Sequence, residues 1–236
     1  MNALKNVLLN ILVFISNILV KEDRQIDKLL KLDPTDLYLL LPKTKRKIEK
    51  DCMAIFDYEN KTIKSIVKSV KFKNNLLMKR RVASYIYDEI LSLSSDVELF
   101  FGSPPIIIPM PMSKKEKKER GFNQCEEIAL ELKRIAGSNL KIEFGILKKI
   151  RNTQRQVKLN RDERLKNLYK SMCVFLKSEA TIKTQHPERN EGEYFLKNRV
   201  VIVFDDVYTT GATFGEARRA LLASGAKKVF GLFLAH

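Results

Sequence analysis

Tryptophan is absent from this sequence, histidine occurs twice and cysteine three times. Each shortage removes a class of chemistry. His186 lies in a polar stretch and His236 is the last residue, so a histidine-based acid–base or metal constellation is not expected. Cys52, Cys125 and Cys173 form no CxxC pair and have no histidine nearby, so neither a tetrahedral zinc site nor a disulfide scaffold is expected. They read as small buried apolar residues of a protein in a reducing compartment. Long apolar runs are lacking too. In the N-terminal MNALKNVLLNILVFISNILV the longest stretch without a polar residue is five, Ile11 to Ile15. A bilayer span needs roughly 20, so no transmembrane segment is expected. No small-residue cleavage site follows; Lys21, Glu22, Asp23 and Arg24 come next. Leu4, Leu8, Ile11, Ile15 and Ile18 share one helical face. We read an amphipathic helix docked on the body of the protein, with a membrane-surface anchor and a cleaved signal as the other readings.

What the chain does have is concentrated at residues 201–213, VIVFDDVYTTGAT. The apolar run Val201–Phe204 suits a buried parallel strand, and the FGEARRALLASG that follows the loop suits a helix. Asp205 and Asp206 therefore fall at the carboxyl end of a strand, where open α/β sheets bind ligands. Thr209, Thr210, Gly211, Ala212 and Thr213 would cradle a phosphate with backbone N–H groups at the helix N-terminus. A carboxylate beside a bound phosphate needs another task. Two adjacent acids suit either the hydroxyls of a ribose or a divalent cation. A phosphate cradle beside a diol acceptor describes a ribose 5-phosphate site.

This pattern resembles the 5-phosphoribosyl 1-diphosphate (PRPP) signature of type I phosphoribosyltransferases. Three further segments narrow the resemblance. Residues 107–124, IIPMPMSKKEKKERGFNQ, join a strand to a proline-punctuated loop, a basic run and RGFNQ; residues 149–167 carry the spaced set Arg151, Thr153, Gln156, Arg164 and Asn167; residues 56–73 place Tyr58 before an amphipathic helix ending in Lys-Phe-Lys. In this order, over roughly residues 55–236, they resemble the ComF/GntX family, which is linked to competence and DNA uptake. Members of that family commonly begin with a zinc ribbon of paired cysteines, which this chain lacks, and no zinc is expected.

The resemblance implies displacement of pyrophosphate from PRPP by a nitrogen nucleophile that no segment identifies. It implies Asp205 and Asp206 on the ribose hydroxyls, with Thr209 to Thr213 on the 5-phosphate. The loop Pro111, Met112 and Ser113 would lie at the pyrophosphate, with a cis peptide before Pro111 as a candidate and Ser113 standing where relatives often carry histidine. Arg120 and Arg151 are the candidate catalytic cations, with Asn123 and Gln124 positioning and Arg155 joining Arg151 on a mobile loop. Magnesium is expected with PRPP, with Asp205 as the one candidate protein ligand. Surface solvation is the plain alternative for the arginines.

Bases outnumber acids, 44 to 28, for a net charge of +16. Residues 43–81 and 113–170 each carry +9. Lys61, Lys64, Lys68 and Lys71 line one face of a helix whose opposite face is Ile63, Ile66, Val67 and Val70. That cationic face reads as solvated surface, as part of a PRPP site, or as a groove for single-stranded DNA. Phe72, Tyr85 and Tyr87 are the nearby aromatics and are read as core.

The expected architecture is α/β: a mainly parallel sheet flanked by helices, the type I phosphoribosyltransferase fold, with a small helical N-terminal segment. Residues 1–50 are read as that segment, a replaced or degenerate zinc ribbon, and 51–236 as the phosphoribosyltransferase-like domain. Asp33 before Pro34 is a helix cap, and helices are expected at 62–71, about 75–93 and about 122–136, the last with Ile128, Leu132 and Ile135 inward. Strands are expected at 106–108, 140–147, 171–176, 201–204 and 228–235. Three functions follow: a PRPP-dependent transferase, a non-catalytic accessory protein for single-stranded DNA working beside a competence helicase, and a PRPP-sensing regulator. A homo-oligomer is compatible with each. The expected location is the cytoplasm, with the inner face of the membrane as the alternative.

Overall fold

The computed structural model describes residues 24–44, 48–151, 170–175 and 195–236. Five strands form the main sheet: β1 (Cys52–Phe56), β2 (Ile106–Pro109), β3 (Lys141–Ile142), β6 (Val200–Val207) and β7 (Lys228–Ala235). Their order is β1-β7-β6-β2-β3, and every pairing is parallel. Strands buried on both faces read as continuous apolar runs. Accordingly β2 is buried along its whole length, and β6 is buried from Val200 to Phe204. A second sheet is antiparallel and two-stranded, β4 (Leu147–Lys149) with β5 (Met172–Val174).

Besides a helical stretch at residues 24–31, the described helices include α1 (Pro34–Leu40), α2 (Lys61–Phe72), α3 (Leu76–Phe101), α4 (Lys114–Arg120), α5 (Gln124–Ala136) and α6 (Ala212–Ala223). Their starts are written in side chains. Asp33 accepts from Thr35 N with Pro34 in the first turn, Asn60 accepts from Thr62 N and Ile63 N, and Ser113 forms a reciprocal capping box with Glu116. The α2 stripe Ile63, Ile66, Val67 and Val70 is buried as its periodicity requires. The crossover β2–α5–β3 runs one way along the sheet and β6–α6–β7 the other. Right-handed crossovers then put α5 and α6 on opposite faces.

Several elements differ from expectation. The strand expected at 140–147 divides: Lys141 and Ile142 pair with β2, Glu143 to Gly145 leave the sheet, and Leu147 starts β4. α3 runs on to Phe101 because nothing between Leu93 and Gly102 breaks a helix, and Val97 is buried there. Ile135 is 38% exposed rather than inward, since α5 turns its core stripe through Ile128, Leu132 and Ala136. Strand β1 had no counterpart in the sequence reading; its five residues, CMAIF, are too few to show a strand period. No cis peptide occurs among the described residues, so the bond before Pro111 is trans.

The residues before β1 share the core. Ile26, Leu37 and Leu41 are buried in one cluster with Phe56, Ile63 and Val82. Arg81 donates to the carbonyls of Leu29 and Leu30 at 3.2 and 2.5 Å, and Tyr38 donates to Glu89 at 2.7 Å. The amphipathic stripe of residues 4–18 lies outside the described residues. Among the described residues no helix is long and apolar enough to cross a membrane.

Candidate functional site

Strands β2 and β6 are neighbours in the middle of the sheet, and their crossovers depart in opposite directions. A crevice opens at such a switch point, outside the carboxyl ends of the two strands. It lies between the loop after β2, residues 110–113, and the loop after β6, residues 208–211. Met110 N donates to Phe204 O at 2.8 Å, which holds the two loop roots together.

The acid pair stands at this edge, and its surroundings decide what it can bind. Asp206 is buried and Asp205 half-buried. Asp206 Oδ2 accepts from Gln124 Nε2 at 2.8 Å and faces Lys71 Nζ at 3.0 Å, while Oδ1 accepts from Val207 N at 2.8 Å. Asp205 Oδ1 accepts from Asp206 N at 2.8 Å and from the Cys125 thiol at 3.3 Å. Gln124 and Cys125 form the first turn of α5, where the helix dipole favours carboxylates. That turn is tied to the other loop, because the Asn123 side chain donates to Met110 O at 3.0 Å. Arg120 donates to Gln124 Oε1 at 2.6 Å, turning the amide nitrogen toward Asp206, and rests 5.2 Å from the Phe72 ring centroid.

Each carboxylate oxygen offers about two acceptor positions. Asp206 Oδ2 is filled by Lys71 and Gln124, Asp206 Oδ1 has one position left, and none of the described donors bonds to Asp205 Oδ2. Two acceptors on adjacent residues therefore remain for a ligand, which suits a pair of hydroxyls.

Burial, then the neighbouring Asp206 charge, raises the Asp205 carboxyl from its ordinary range to about 7. Burial alone would lower the Lys71 ammonium, but the charge and hydrogen bond of Asp206, with Asp205 behind, more than offset it and the net shift is upward. Burial and both acids hold the Cys125 thiol well above its usual range, so it stays a proton donor. The sign for stability follows. A carboxyl whose folded pKa lies above its unfolded one binds more protons when folded, so its contribution is present below about pH 4 and lost as pH rises through about 7. The stability difference between wild type and Asp205→Asn is expected to move against the wild type from pH 5 to pH 8. Urea unfolding at each pH reads it; parallel curves would contradict the raised carboxyl.

The phosphate-cradle candidates sit at the start of α6. Gly211 is its N-cap in the left-handed region at φ 75° and makes no side-chain cap, so among the described residues the first N–H groups have no capping side chain. Ala212 is buried, Thr210 and Thr213 are half-exposed and Thr209 is exposed. The loop rests on an aromatic column. Phe214 packs edge-on to Phe233 (5.7 Å), Phe233 to Tyr208 (4.9 Å) and Tyr208 to His236 (5.3 Å). A Cβ at Gly211 would lie 2.9 Å from Tyr208 Cζ and 3.2 Å from Glu49 Oε1.

The other expected residues fall in different places. Pro111 and Met112 are half-exposed in the β2 loop, while Ser113 is 2% exposed and spent on capping α4. Arg120 holds Gln124 from behind the acid pair. Arg151 is exposed just past β4 and donates to Lys170 O at 3.2 Å. Thr153, Arg155, Gln156, Arg164 and Asn167 lie outside the described residues. The small sheet that carries Arg151 is anchored on both sides of the crevice. Lys149 of β4 pairs with Glu116 of α4 at 3.2 Å, and the Met172 amide of β5 donates to Glu216 of α6 at 3.2 Å.

One expectation is corrected outright. Lys61 and Lys68 are exposed and Lys64 is half-exposed on the outer face of α2, but Lys71 turns into the crevice instead of extending that face. At 100° per residue Lys71 stands only about 40° round the helix from the buried Val67. That angle was the available signal. Cys125 carried none, because a lone thiol in a helical stripe looks like core.

No family model matches the chain. Among curated proteins, 180 residues are 27% identical to competence protein F of Haemophilus influenzae, covering 76% of this chain and 70% of that protein. A stretch of 176 residues is 29% identical to competence protein ComFC of Streptococcus pneumoniae, covering 75% and 64%. A stretch of 121 residues is 34% identical to ComFC of Bacillus subtilis, covering 51% and 39%. The chain thus spans less than two thirds of the length of both ComFC proteins. Among solved structures, a hypoxanthine phosphoribosyltransferase from Staphylococcus aureus overlaps at TM-score 0.31 and 9% identity, covering 63% of this chain and 61% of that one; a likeness of that size carries no weight. By sequence, then, the chain is similar to the ComF-type competence proteins.

Proposed function

We propose that the crevice is a PRPP site and that the protein is a phosphoribosyltransferase-fold member of the competence proteins, passing the phosphoribosyl group to a nitrogen acceptor. One observation carries the reading: a carboxylate pair with two acceptor positions to spare stands at the switch point, beside a helix N-terminus that no side chain caps. Asp205 Oδ2 and Asp206 Oδ1 would accept the ribose hydroxyls. The backbone N–H groups from Thr210 to Thr213 would take the 5-phosphate, at about 1.5–3 kcal/mol per charge-assisted bond. Displacement of pyrophosphate through an oxocarbenium-like transition state asks for positioning and electrostatics rather than a nucleophilic side chain. The crevice offers that kind of help. Among the described residues no cluster of three acidic, histidine or cysteine side chains could hold a metal, so magnesium would enter as the PRPP complex.

Calorimetric titration with PRPP and magnesium tests the reading. The wild type is expected to bind, and an Asp205→Asn/Asp206→Asn variant to lose at least about a hundredfold in affinity, the equivalent of two charge-assisted bonds. Failure of the folded wild type to bind would end the reading.

The outer face of α2, with Lys61, Lys64 and Lys68, favours a second role compatible with the first: contact with single-stranded DNA in an accessory or PRPP-sensing protein. The names of the relatives point the same way, toward competence.

A further inference from the structure

Asp205 and Asp206 would look to a divalent cation like a ready pair of ligands, yet a third charge already stands there. The Lys71 ammonium lies 3.0 Å from Asp206 Oδ2, on an acid that is 6% exposed, and its side chain is 29% exposed. It reaches the acid from the last turn of α2, across the crevice from β6. The same oxygen accepts from the Gln124 amide, which Arg120 holds from behind. We propose that Lys71 is an internal counter-ion that closes the acid pair to divalent cations and leaves it open to hydroxyl donors.

Three features carry this. Asp206 Oδ2 has both acceptor positions filled by donors, so a cation could bind there only by expelling the lysine. The ammonium would also stand within a few ångströms of any metal at Asp205, where repulsion between positive charges is large in a partly dehydrated crevice. Asp206 Oδ1 and Asp205 Oδ2 are the oxygens with room, and a neutral hydroxyl can donate to them without meeting the Lys71 charge, whereas a dication cannot. On the PRPP reading, a metal in the complex would ride on the pyrophosphate and not on this pair. The inference about Lys71 itself does not depend on that reading, because it concerns the protein without any organic ligand.

Manganese binding to the protein alone tests it, followed by the loss of the free-ion electron paramagnetic resonance signal. Wild type and Lys71→Arg, which keeps the charge, are expected to show no site that Asp206→Asn removes. Lys71→Met is expected to gain one at least about tenfold tighter than any binding by wild type, once the ammonium no longer repels the cation. Adding Asp206→Asn to Lys71→Met should abolish the gain. The proposal is overturned if wild-type protein binds manganese in a way that Asp206→Asn eliminates. It is equally overturned if folded Lys71→Met, checked by circular dichroism, gains nothing. Should Lys71→Met not fold, Lys71→Gln replaces it under the same criteria. PRPP titration of wild type runs in parallel, so failure there strikes the site's ligand and not the role of Lys71.

Discussion

Replacing Gly211 with alanine is expected to weaken PRPP binding by about a hundredfold or more while the protein stays folded. Gly211 sits at φ 75°, a conformation that costs other residues roughly 1–2 kcal/mol. A new Cβ would also lie 2.9 Å from Tyr208 Cζ. Tyr208 cannot swing away cheaply: its ring is held edge-on between Phe233 and His236, and its amide donates to Ala235 O at 2.9 Å. The loop must therefore shift, and the N–H groups that follow Gly211 shift with it. Groups preorganised for a phosphate lose much of their value when displaced by about an ångström. Calorimetry with PRPP and magnesium, paired with a thermal melt, separates this loss from simple unfolding. Wild-type affinity in a folded variant would remove the 5-phosphate from this loop.

The second large effect lies at the far end of the aromatic column. Gly231 is inside β7, where glycine ordinarily weakens a strand. Its space is needed: a Cβ there would lie 2.7 Å from Phe233 Cε2 and 2.9 Å from Phe214 Cε2, both on rings about 1% exposed. Gly231→Ala is expected to cost about 1–3 kcal/mol through overpacking, and Gly231→Val more, since two further methyls meet the same rings. For a chain of this size each kcal/mol lowers the melting temperature by about 2–4 °C. Urea unfolding of both variants gives the ordering; a valine variant within about 0.5 kcal/mol of wild type would show that the rings yield freely. Because Phe233 also supports Tyr208, Gly231→Ala should weaken PRPP binding without touching the crevice.

Much of the sheet and of the crevice was legible in the sequence, for identifiable reasons. VIVFDD announces a buried strand with acids at its end, because strands covered on both faces lose their alternation. RGFNQ looked like a positioning segment and lies beside the acids, with Gln124 on Asp206 and Asn123 on Met110. What stayed hidden depends on rotation and on distance along the chain. Lys71 sits at the border of its stripe, so sequence spacing could not decide between solvent and crevice. Cys125 meets Asp205 across 80 residues of chain, a contact that no local pattern encodes. The strand Cys52–Phe56 was too short to show its period, and the expected strand at 140–147 splits because Lys141 and Ile142 answer to β2 while Leu147 answers to β5.

The strand order has a consequence for how this protein comes into being. The described residues up to 151 supply only the two margins of the main sheet, β1 on one side and β2–β3 on the other, with a gap two strands wide between them. No strand in that first part has its lasting neighbours except β2 with β3. The gap closes when β6 and β7, which follow residue 199, slot in as adjacent strands and join the margins. A nascent chain emerging from the ribosome therefore carries open edges until β7 arrives, the state in which chains are most prone to wrong pairing. The two acids arrive on β6, the first of these two strands, so the carboxylate pair and the centre of the sheet are put in place in the same late step.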